Sequence, residues 1–142
     1  MFQGTSLLAL DGKGRLSLPS RHREDLLLSC QGEVTLTRHP DGCALIYPRP
    51  TWNALRDQLM TLPFGARVLR RMLLGSAVDI KIDGSGRLLI PNDLRSLCGL
   101  SREVTLVGLG DHFELWDQAA FAEFEKKELA KGLPQEVSNF IL

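Results

Sequence analysis

Two stretches of the sequence place aspartate and arginine at the same spacing around paired glycines. Residues 11–23 read DGKGRLSLPSRHR and residues 83–95 read DGSGRLLIPNDLR, with seven of the thirteen positions identical. Glycines permit the positive φ angles of a tight turn, and an aspartate can pair with an arginine four residues later across such a turn. Turn structure alone therefore explains the residues that the two copies share.

The two copies differ in their basic side chains, and this difference bears on function. The first copy carries four basic side chains and no acidic one between residues 13 and 23. These are Lys13, Arg15, Arg21 and Arg23. The second copy carries Arg87 and Arg95 against Asp93. Arginines on a hairpin and an adjoining helix start are typical of contacts to DNA phosphates and base edges. The first copy is a candidate DNA-binding face, with a solvated basic surface as the alternative.

The sequence lacks the common enzyme motifs. It contains no GxSxG, no HExxH, no Walker-type GxxxxGK[ST] and no GxGxxG that opens a helix. His39 and Cys43 could form half of a metal site, but no second pair supports them, and an exposed histidine in a hairpin loop is the simpler interpretation. Asp11 and Asp83 could form a carboxylate dyad, but a local Asp–Arg pair is more economical. We therefore expect no catalytic site, no cofactor and no metal.

Composition indicates a soluble globular protein. The chain has 142 residues, of which 44% are hydrophobic and 24% charged, and its apolar runs are too short to span a membrane. The start of the chain lacks the pattern of a secretory signal, and three cysteines without CxxC spacing suit a reducing cytosol. Seventeen basic and seventeen acidic residues cancel, although the acidic surplus lies after residue 110. We expect a cytoplasmic protein with a basic body that suits an anionic partner.

Each copy predicts the same order of elements: strand, turn, strand, short helix, strand, turn, strand. In the first copy we expect a strand over Ser6–Leu10, a strand over Arg15–Leu18, a helix capped by Ser20 and running through Leu28, and strands over Val34–Arg38 and Cys43–Tyr47. In the second copy we expect a helix capped by Asn92 and ended by Gly99, and strands over Val104–Gly108 and Phe113–Trp116. A unit of about 45 residues buries too little surface to be stable alone, so both copies should share one core.

Helices are expected between and after the copies. A stripe of apolar residues predicts an amphipathic connecting helix, formed by Trp52, Leu55, Leu59 and Leu62. Pro63-Phe64-Gly65 interrupts it, and a second short helix follows. Asp117 is placed to cap a C-terminal helix that runs to about Lys131 with Phe121 and Phe124 inward, followed by a loose tail.

The pattern Asp-x-x-Gly-Arg, strand, proline and basic helix start resembles the AbrB/SpoVT swapped-hairpin DNA-binding module. Two such modules in one chain that opens Met1-Phe2-x-Gly4 are similar to the bacterial MraZ family, as are LIYP before Trp52, RRMLLGSA at 70–77 and FELWD at 113–117. The resemblance covers nearly the whole chain. It divides the chain into module 1 at 5–51, a helical connector at 52–76, module 2 at 77–120, and a C-terminal helix and tail at 121–142.

The resemblance implies a fold and a function. The fold would be mainly β with short helices, of the α+β class, with the two swapped-hairpin modules forming one pseudo-symmetric β-barrel. The function would be that of a sequence-specific transcriptional regulator, usually a repressor, which binds repeated short G-rich elements ahead of its own cell-division and cell-wall operon. The partners would be double-stranded DNA and further copies of the chain in a ring, at the nucleoid. The DNA-binding residues would be Lys13, Arg15, Arg21, Arg23 and Arg87.

Two alternatives remain open from the residues. One is an AbrB-type antitoxin that binds DNA and a toxin, although such proteins usually carry one module and a long unstructured acidic tail. The other is a small β-barrel enzyme that cleaves itself at a Gly-Ser bond to form a pyruvoyl group. Gly84-Ser85 and Gly75-Ser76 offer that bond, but no supporting active site accompanies them.

Overall fold

A computed structural model describes residues 1–141 of the chain. The strands are β1 Phe2–Ala9, β2 Arg15–Ser17, β3 Glu33–Arg38, β4 Ala44–Pro48, β5 Val78–Lys81, β6 Arg87–Leu89, β7 Glu103–Gly110 and β8 Phe113–Asp117. The α-helices are α1 Ser20–Cys30, α2 Arg49–Leu59, α3 Arg67–Gly75, α4 Asn92–Leu97 and α5 Gln118–Ala130. Short 3₁₀ turns cover Phe64–Ala66 and Gln135–Val137. With 40% of residues in helices and 30% in strands, the α+β class is confirmed.

Strands from the two copies of the repeat are interleaved in the sheets. A six-stranded sheet has the order β1-β7-β8-β4-β3-β5, and β2 and β6 form a separate two-stranded ribbon. The first strand of each copy thus pairs with the third strand of the other copy: β1 lies on β7, and β5 lies on β3, both antiparallel. The hairpins are therefore interleaved, and neither copy can complete its sheet without the other.

The arrangement has an approximate twofold symmetry. In the large sheet, β1 corresponds to β5, β3 to β7 and β4 to β8. Exchanging each strand for its counterpart reverses the order of the strands in this sheet. In the ribbon, Leu16 pairs with its counterpart Leu88, so the pseudo-axis passes through this pair. Both leucines are fully buried.

One apolar core joins both copies. Leu16 and Leu88 from the ribbon pack in the same cluster as Leu36 and Leu106 from the large sheet. Leu26 of α1 and Leu94 of α4 close this cluster. Burying each of these leucines contributes about 2 kcal/mol, so the shared core is the main reason that the two small units fold as one.

The remaining helices cover the outside of the sheet. Trp52 and Leu59 of α2 join Leu73 of α3 in a second apolar cluster on β4. Phe121 and Phe124 of α5 pack against Trp116, with ring centroids 5.4 and 4.8 Å away. The Asp117 carboxylate caps α5 by accepting from the Ala120 N–H at 3.1 Å. The connecting helices and the C-terminal helix predicted from the sequence are therefore confirmed. Within residues 1–141, no helix has the length and apolar content needed to cross a bilayer.

The predicted helix caps at Ser20 and Asn92 were wrong. Each residue is the first helical position, and the preceding Pro19 or Pro91 occupies the cap position without a side-chain hydrogen bond. The Pro19 carbonyl accepts from the N–H groups of the next turn, which places Ser20 one residue too late to cap. The first strand was also predicted too short, since it begins at Phe2 rather than Ser6. Gly99, with φ +60°, ends α4 as expected.

Candidate nucleic-acid interface

The two D-G-x-G-R turns have nearly identical internal geometry. The Asp11 carboxylate accepts the backbone N–H groups of Lys13 and Arg15, each at 2.9 Å, and the Arg15 Nε at 2.6 Å. In the second turn, Asp83 accepts the Arg87 N–H at 3.0 Å and the Arg87 Nε at 2.9 Å. The predicted local Asp–Arg pair is confirmed in both copies. Each aspartate closes the turn and fixes the orientation of its arginine.

These hydrogen bonds favour the ionised carboxylate. The Arg15 backbone N–H is the largest contributor that lowers the pKa of Asp11 from its usual 3.8 to about 2, and the pKa of Asp83 is lowered in the same way by Arg87. Each aspartate thus stays ionised at neutral pH. Within residues 1–141, the two terminal guanidinium nitrogens of Arg15 donate no hydrogen bond, and its side chain is 27% exposed. An oriented guanidinium edge is consequently left for a ligand.

Each turn is also hydrogen-bonded to the residue that follows the opposite strand of the ribbon. The Leu18 N–H donates to the Gly86 carbonyl at 3.2 Å, and the Ile90 N–H donates to the Gly14 carbonyl at 3.0 Å. Gly14 and Gly86 have φ angles of +80° and +78°, which glycine adopts without the steric cost that other residues incur. The two turns are thereby held at opposite ends of the β2–β6 ribbon.

The interleaving exchanges the basic helix residues between the turns. The guanidinium of Arg95, from the second copy, packs directly on Gly14 in the first turn, and its Nε donates to the Ile90 carbonyl at 3.0 Å. Arg23, from the first copy, packs directly on Gly86 in the second turn. Each turn is therefore completed by an arginine from the other half of the chain.

The five sequence-predicted residues consequently lie in three places. Lys13 and Arg15 are together at the first turn, with Lys13 exposed. Arg87 and Arg23 lie at the second turn. Arg21 is exposed, and its guanidinium lies over Gly4 of β1. The spacing of residues predicted the correct Asp–Arg partners within each turn. It wrongly grouped Arg23 with the first turn, whereas Arg23 lies at the second turn.

Arg95 is the basic residue at the first turn that the charge count did not select. Its signal in the sequence is the repeat itself, since Arg95 and Arg23 occupy the same position in the two copies. Combined with interleaved hairpins, that equivalence is sufficient to place each arginine against the opposite turn.

The histidines contribute no site of their own. His22 is buried against the rings of Phe2 and Phe113, with centroids 6.0 and 4.9 Å away. Burial lowers the pKa of His22, so this side chain is neutral at pH 7. His39 lies in the β3–β4 hairpin, while Cys43 is fully buried. Across the described chain, no three His, Cys, Asp or Glu side chains are grouped to hold a metal ion.

Known proteins resemble this chain over nearly its whole length. The family model described as "MraZ protein, putative antitoxin-like" matches residues 1–74 and again residues 72–139. The chain is 54% identical over 140 residues to "Transcriptional regulator MraZ" of Bordetella pertussis, and 51% identical to the proteins of that name from Janthinobacterium sp. and Cupriavidus taiwanensis. In each case 99% of both chains is covered.

The chain belongs to the MraZ family. The resemblance noted from the D-x-x-G-R motifs is confirmed, and membership places this chain among transcriptional regulators. The MraZ family model matches once for each copy of the repeat, with a boundary near residue 73. That boundary falls in α3, between the strands of the two copies.

Proposed function

We propose that this MraZ-family chain is a sequence-specific DNA-binding regulator that represses transcription of its own operon. The observation that carries the proposal is the first turn, where Asp11 holds the Arg15 guanidinium by its Nε at 2.6 Å and leaves the terminal nitrogens without partners among residues 1–141. Arginine in this form presents two parallel N–H donors to a guanine O6/N7 pair or to a phosphate. The target would be repeated short G-rich elements in the promoter.

Orientation by Asp11 is central to this mechanism. A free arginine must lose rotamer entropy when it binds, whereas Arg15 already shares a charge-assisted hydrogen bond with the turn. Lys13 stands two residues away on the exposed side and supplies a second positive charge for phosphate. The turn thus combines one directional contact with one positioning contact.

The second turn is a weaker DNA contact in this proposal. Arg87 is clamped by Asp83 as Arg15 is by Asp11, but the position of Lys13 is taken by Ser85. Arg23 adds a guanidinium there, and Arg21 of α1 places its guanidinium over Gly4 of β1. We propose that these three arginines assist the first turn through phosphate contacts.

Self-association into a ring would multiply these contacts. Apolar side chains are exposed on the connecting helices and on the C-terminal segment, and they suit contacts between subunits. They include Met60, Phe64, Val68, Leu129, Leu133 and Phe140. Several turns presented to a repeated operator gain affinity through effective concentration, with no new contact. Such a regulator would act in the cytoplasm at the nucleoid.

An antitoxin role is the second candidate, because the matching family model is described as antitoxin-like. Its C-terminal segment would have to release a toxin-binding tail, yet α5 packs two phenylalanines on Trp116. The self-processing enzyme is disfavoured by the same family membership, and its Ser85 is an exposed turn residue whose N–H is held by Asp83. A single intact mass equal to that of the uncleaved chain would eliminate it.

Fluorescence anisotropy tests the DNA proposal. The full chain is titrated into labelled DNA from upstream of its own gene and into a scrambled duplex, at two salt concentrations. We expect tighter binding to the upstream DNA and weaker binding of both duplexes at higher salt. Equal affinity for the two duplexes would contradict sequence specificity, and binding of neither would refute the DNA proposal.

A further inference from the structure

We propose that Arg95 and Arg102 form a binding site for a DNA backbone phosphate beside the first turn. The inference rests on the proposed function and assigns two further residues to it, both from the second copy of the repeat. Neither residue belongs to the basic segment at 13–23 from which the DNA interface was predicted.

The site is an open cleft of about 740 Å³ between the first turn and the loop that joins α4 to β7. Its lining includes Leu10, Asp11, Arg95, Ser101 and Arg102. The Arg102 carbonyl accepts the Leu10 N–H at 2.8 Å, and this bond ties the loop to the chain immediately before the turn. The arginines are therefore placed by the same framework that places Arg15.

The cleft offers guanidinium donors that have no acidic partner. Arg95 uses its Nε on the Ile90 carbonyl, and over residues 1–141 neither Arg95 nor Arg102 forms an ion pair. The Asp11 carboxylate in the lining is already neutralised by Arg15. The Ser101 hydroxyl donates to Asp117 at 2.6 Å, so among residues 1–141 the two arginines are the charged donors that line the cleft. An anion with several acceptor oxygens is the ligand that this arrangement suits.

The pseudo-symmetric cleft at the second turn provides an internal comparison. It is smaller, about 310 Å³, and is lined by Arg23, Leu27, Asp83, Gly84, Ser85 and Gly86. The counterpart of Arg95 is present there as Arg23, but the counterpart of Arg102 in the repeat is Gly32. The first turn with its cleft carries Lys13, Arg15, Arg95 and Arg102 against Asp11, whereas the second carries Arg87 and Arg23 against Asp83. The net charges are thus +3 and +1.

This charge difference selects the first turn as the DNA-facing end. A cleft wide open to solvent next to an oriented arginine suits the sugar-phosphate backbone, which flanks any base edge that Arg15 could reach. A phosphate contact fixes the register of the protein on DNA without carrying sequence information. Replacing Arg102 should consequently weaken binding to any duplex, whereas replacing Arg15 should remove the preference for upstream DNA.

The test compares Arg102→Ala with wild type in anisotropy titrations over a series of salt concentrations, on upstream and scrambled DNA. Arg102→Lys retains the charge, and Arg56→Ala removes an exposed arginine from α2, which lines neither cleft. The exposed Arg102 side chain makes no hydrogen bond in the described structure, and Arg56 forms only an exposed ion pair with Asp57, so all variants should melt like wild type. Arg102→Gln provides a second neutral variant with a longer side chain.

We expect Arg102→Ala to weaken binding of both duplexes by the same factor, about eightfold at 0.1 M salt for one phosphate contact. The slope of the logarithm of the binding constant against the logarithm of the salt concentration should become shallower by about 0.9 per engaged chain. Arg102→Lys should keep most of the affinity and slope. If wild type binds and Arg102→Ala behaves like Arg56→Ala, the phosphate site is refuted while the proposed function stands. A loss confined to upstream DNA would refute the phosphate assignment in favour of a base contact. If wild type binds no DNA, both proposals fail.

Discussion

Replacing Gly14 by alanine is expected to destabilise the fold and to displace Arg95 from the first turn. Gly14 has a φ of +80°, and a Cβ built on it would lie 2.5 to 2.8 Å from guanidinium atoms of Arg95. Gly12, two residues earlier in the same turn, has neither constraint: its φ is outside the left-handed region, and no atom lies within 4 Å of its Cβ position. The two glycines therefore form a matched pair.

The expected cost follows from two terms. Holding an alanine in the left-handed region costs about 1 to 2 kcal/mol. Arg95 must also move, and its Nε then loses the 3.0 Å hydrogen bond to the Ile90 carbonyl, a contribution of about 1 kcal/mol for a partly buried bond. Gly14→Ala should thus lower the free energy of unfolding by about 2 to 3 kcal/mol. Gly12→Ala should leave it unchanged or raise it by about 0.4 to 1 kcal/mol, because alanine restricts the unfolded chain.

Urea denaturation at a fixed chain concentration measures this difference, since self-association would shift the apparent stability. DNA anisotropy on the same samples then reports whether displacing Arg95 weakens binding. Equal unfolding free energies for Gly14→Ala and Gly12→Ala would refute both the turn geometry and the packing of Arg95 across the two copies.

Three further predictions concern the core, the clamps and the thiols. Leu16 and Leu88 occupy equivalent buried positions on the pseudo-axis, so replacing either by alanine should lower the free energy of unfolding by about 3 kcal/mol. Each replacement should shift one common unfolding transition of the whole chain, and two separate transitions would contradict the shared core. Asp11, with its folded pKa lowered from 3.8 to about 2, stabilises the fold above pH 4 and loses that contribution as the pH falls towards 2. The free energy of unfolding of Asp11→Asn should therefore fall less than that of wild type between about pH 4 and pH 2, as measured by denaturation curves at each pH. Asp83→Asn should show the same effect to a smaller extent, because the pKa of Asp83 is also lowered. Burial raises the pKa of the Cys43 thiol, so a thiol reagent such as Ellman's reagent should label it only after unfolding, and rapid labelling of the folded chain would refute its burial.

Much of the fold could be predicted because the sequence repeats itself. Seven identities in thirteen positions defined equivalent turns, and the alternating strands and the stripe at Trp52 indicated the elements around them. The start of β1 at Phe2 was missed because residues 2–5 contain little apolar alternation, and their pairing with β7 decides their structure. Ser20 and Asn92 were misassigned as caps because a proline directly before each one already occupies the cap position.

The candidate site was predicted less completely than the fold. The Asp11–Arg15 pair depends on residues four apart, so local spacing was sufficient to find it. The positions of Arg23 and Arg95 depend on how the hairpins of the two copies interleave. A count of charges along the sequence misses this, because it assumes that residues close in sequence are also close in space. Arg102 gave no motif signal, because its loop meets the first turn through a long-range hydrogen bond to Leu10.

The most direct measurement of the central claim is the affinity of Arg15→Ala and Arg87→Ala for upstream and scrambled DNA, with thermal melts of each variant. The two arginines have the same clamp, so they are matched in structural role and differ in their surroundings. We predict that Arg15→Ala stays folded and loses the preference for upstream DNA, a change of about tenfold or more, whereas Arg87→Ala retains it. Equal losses from both variants, or unchanged specificity in a folded Arg15→Ala, would contradict the claim that the first turn recognises DNA.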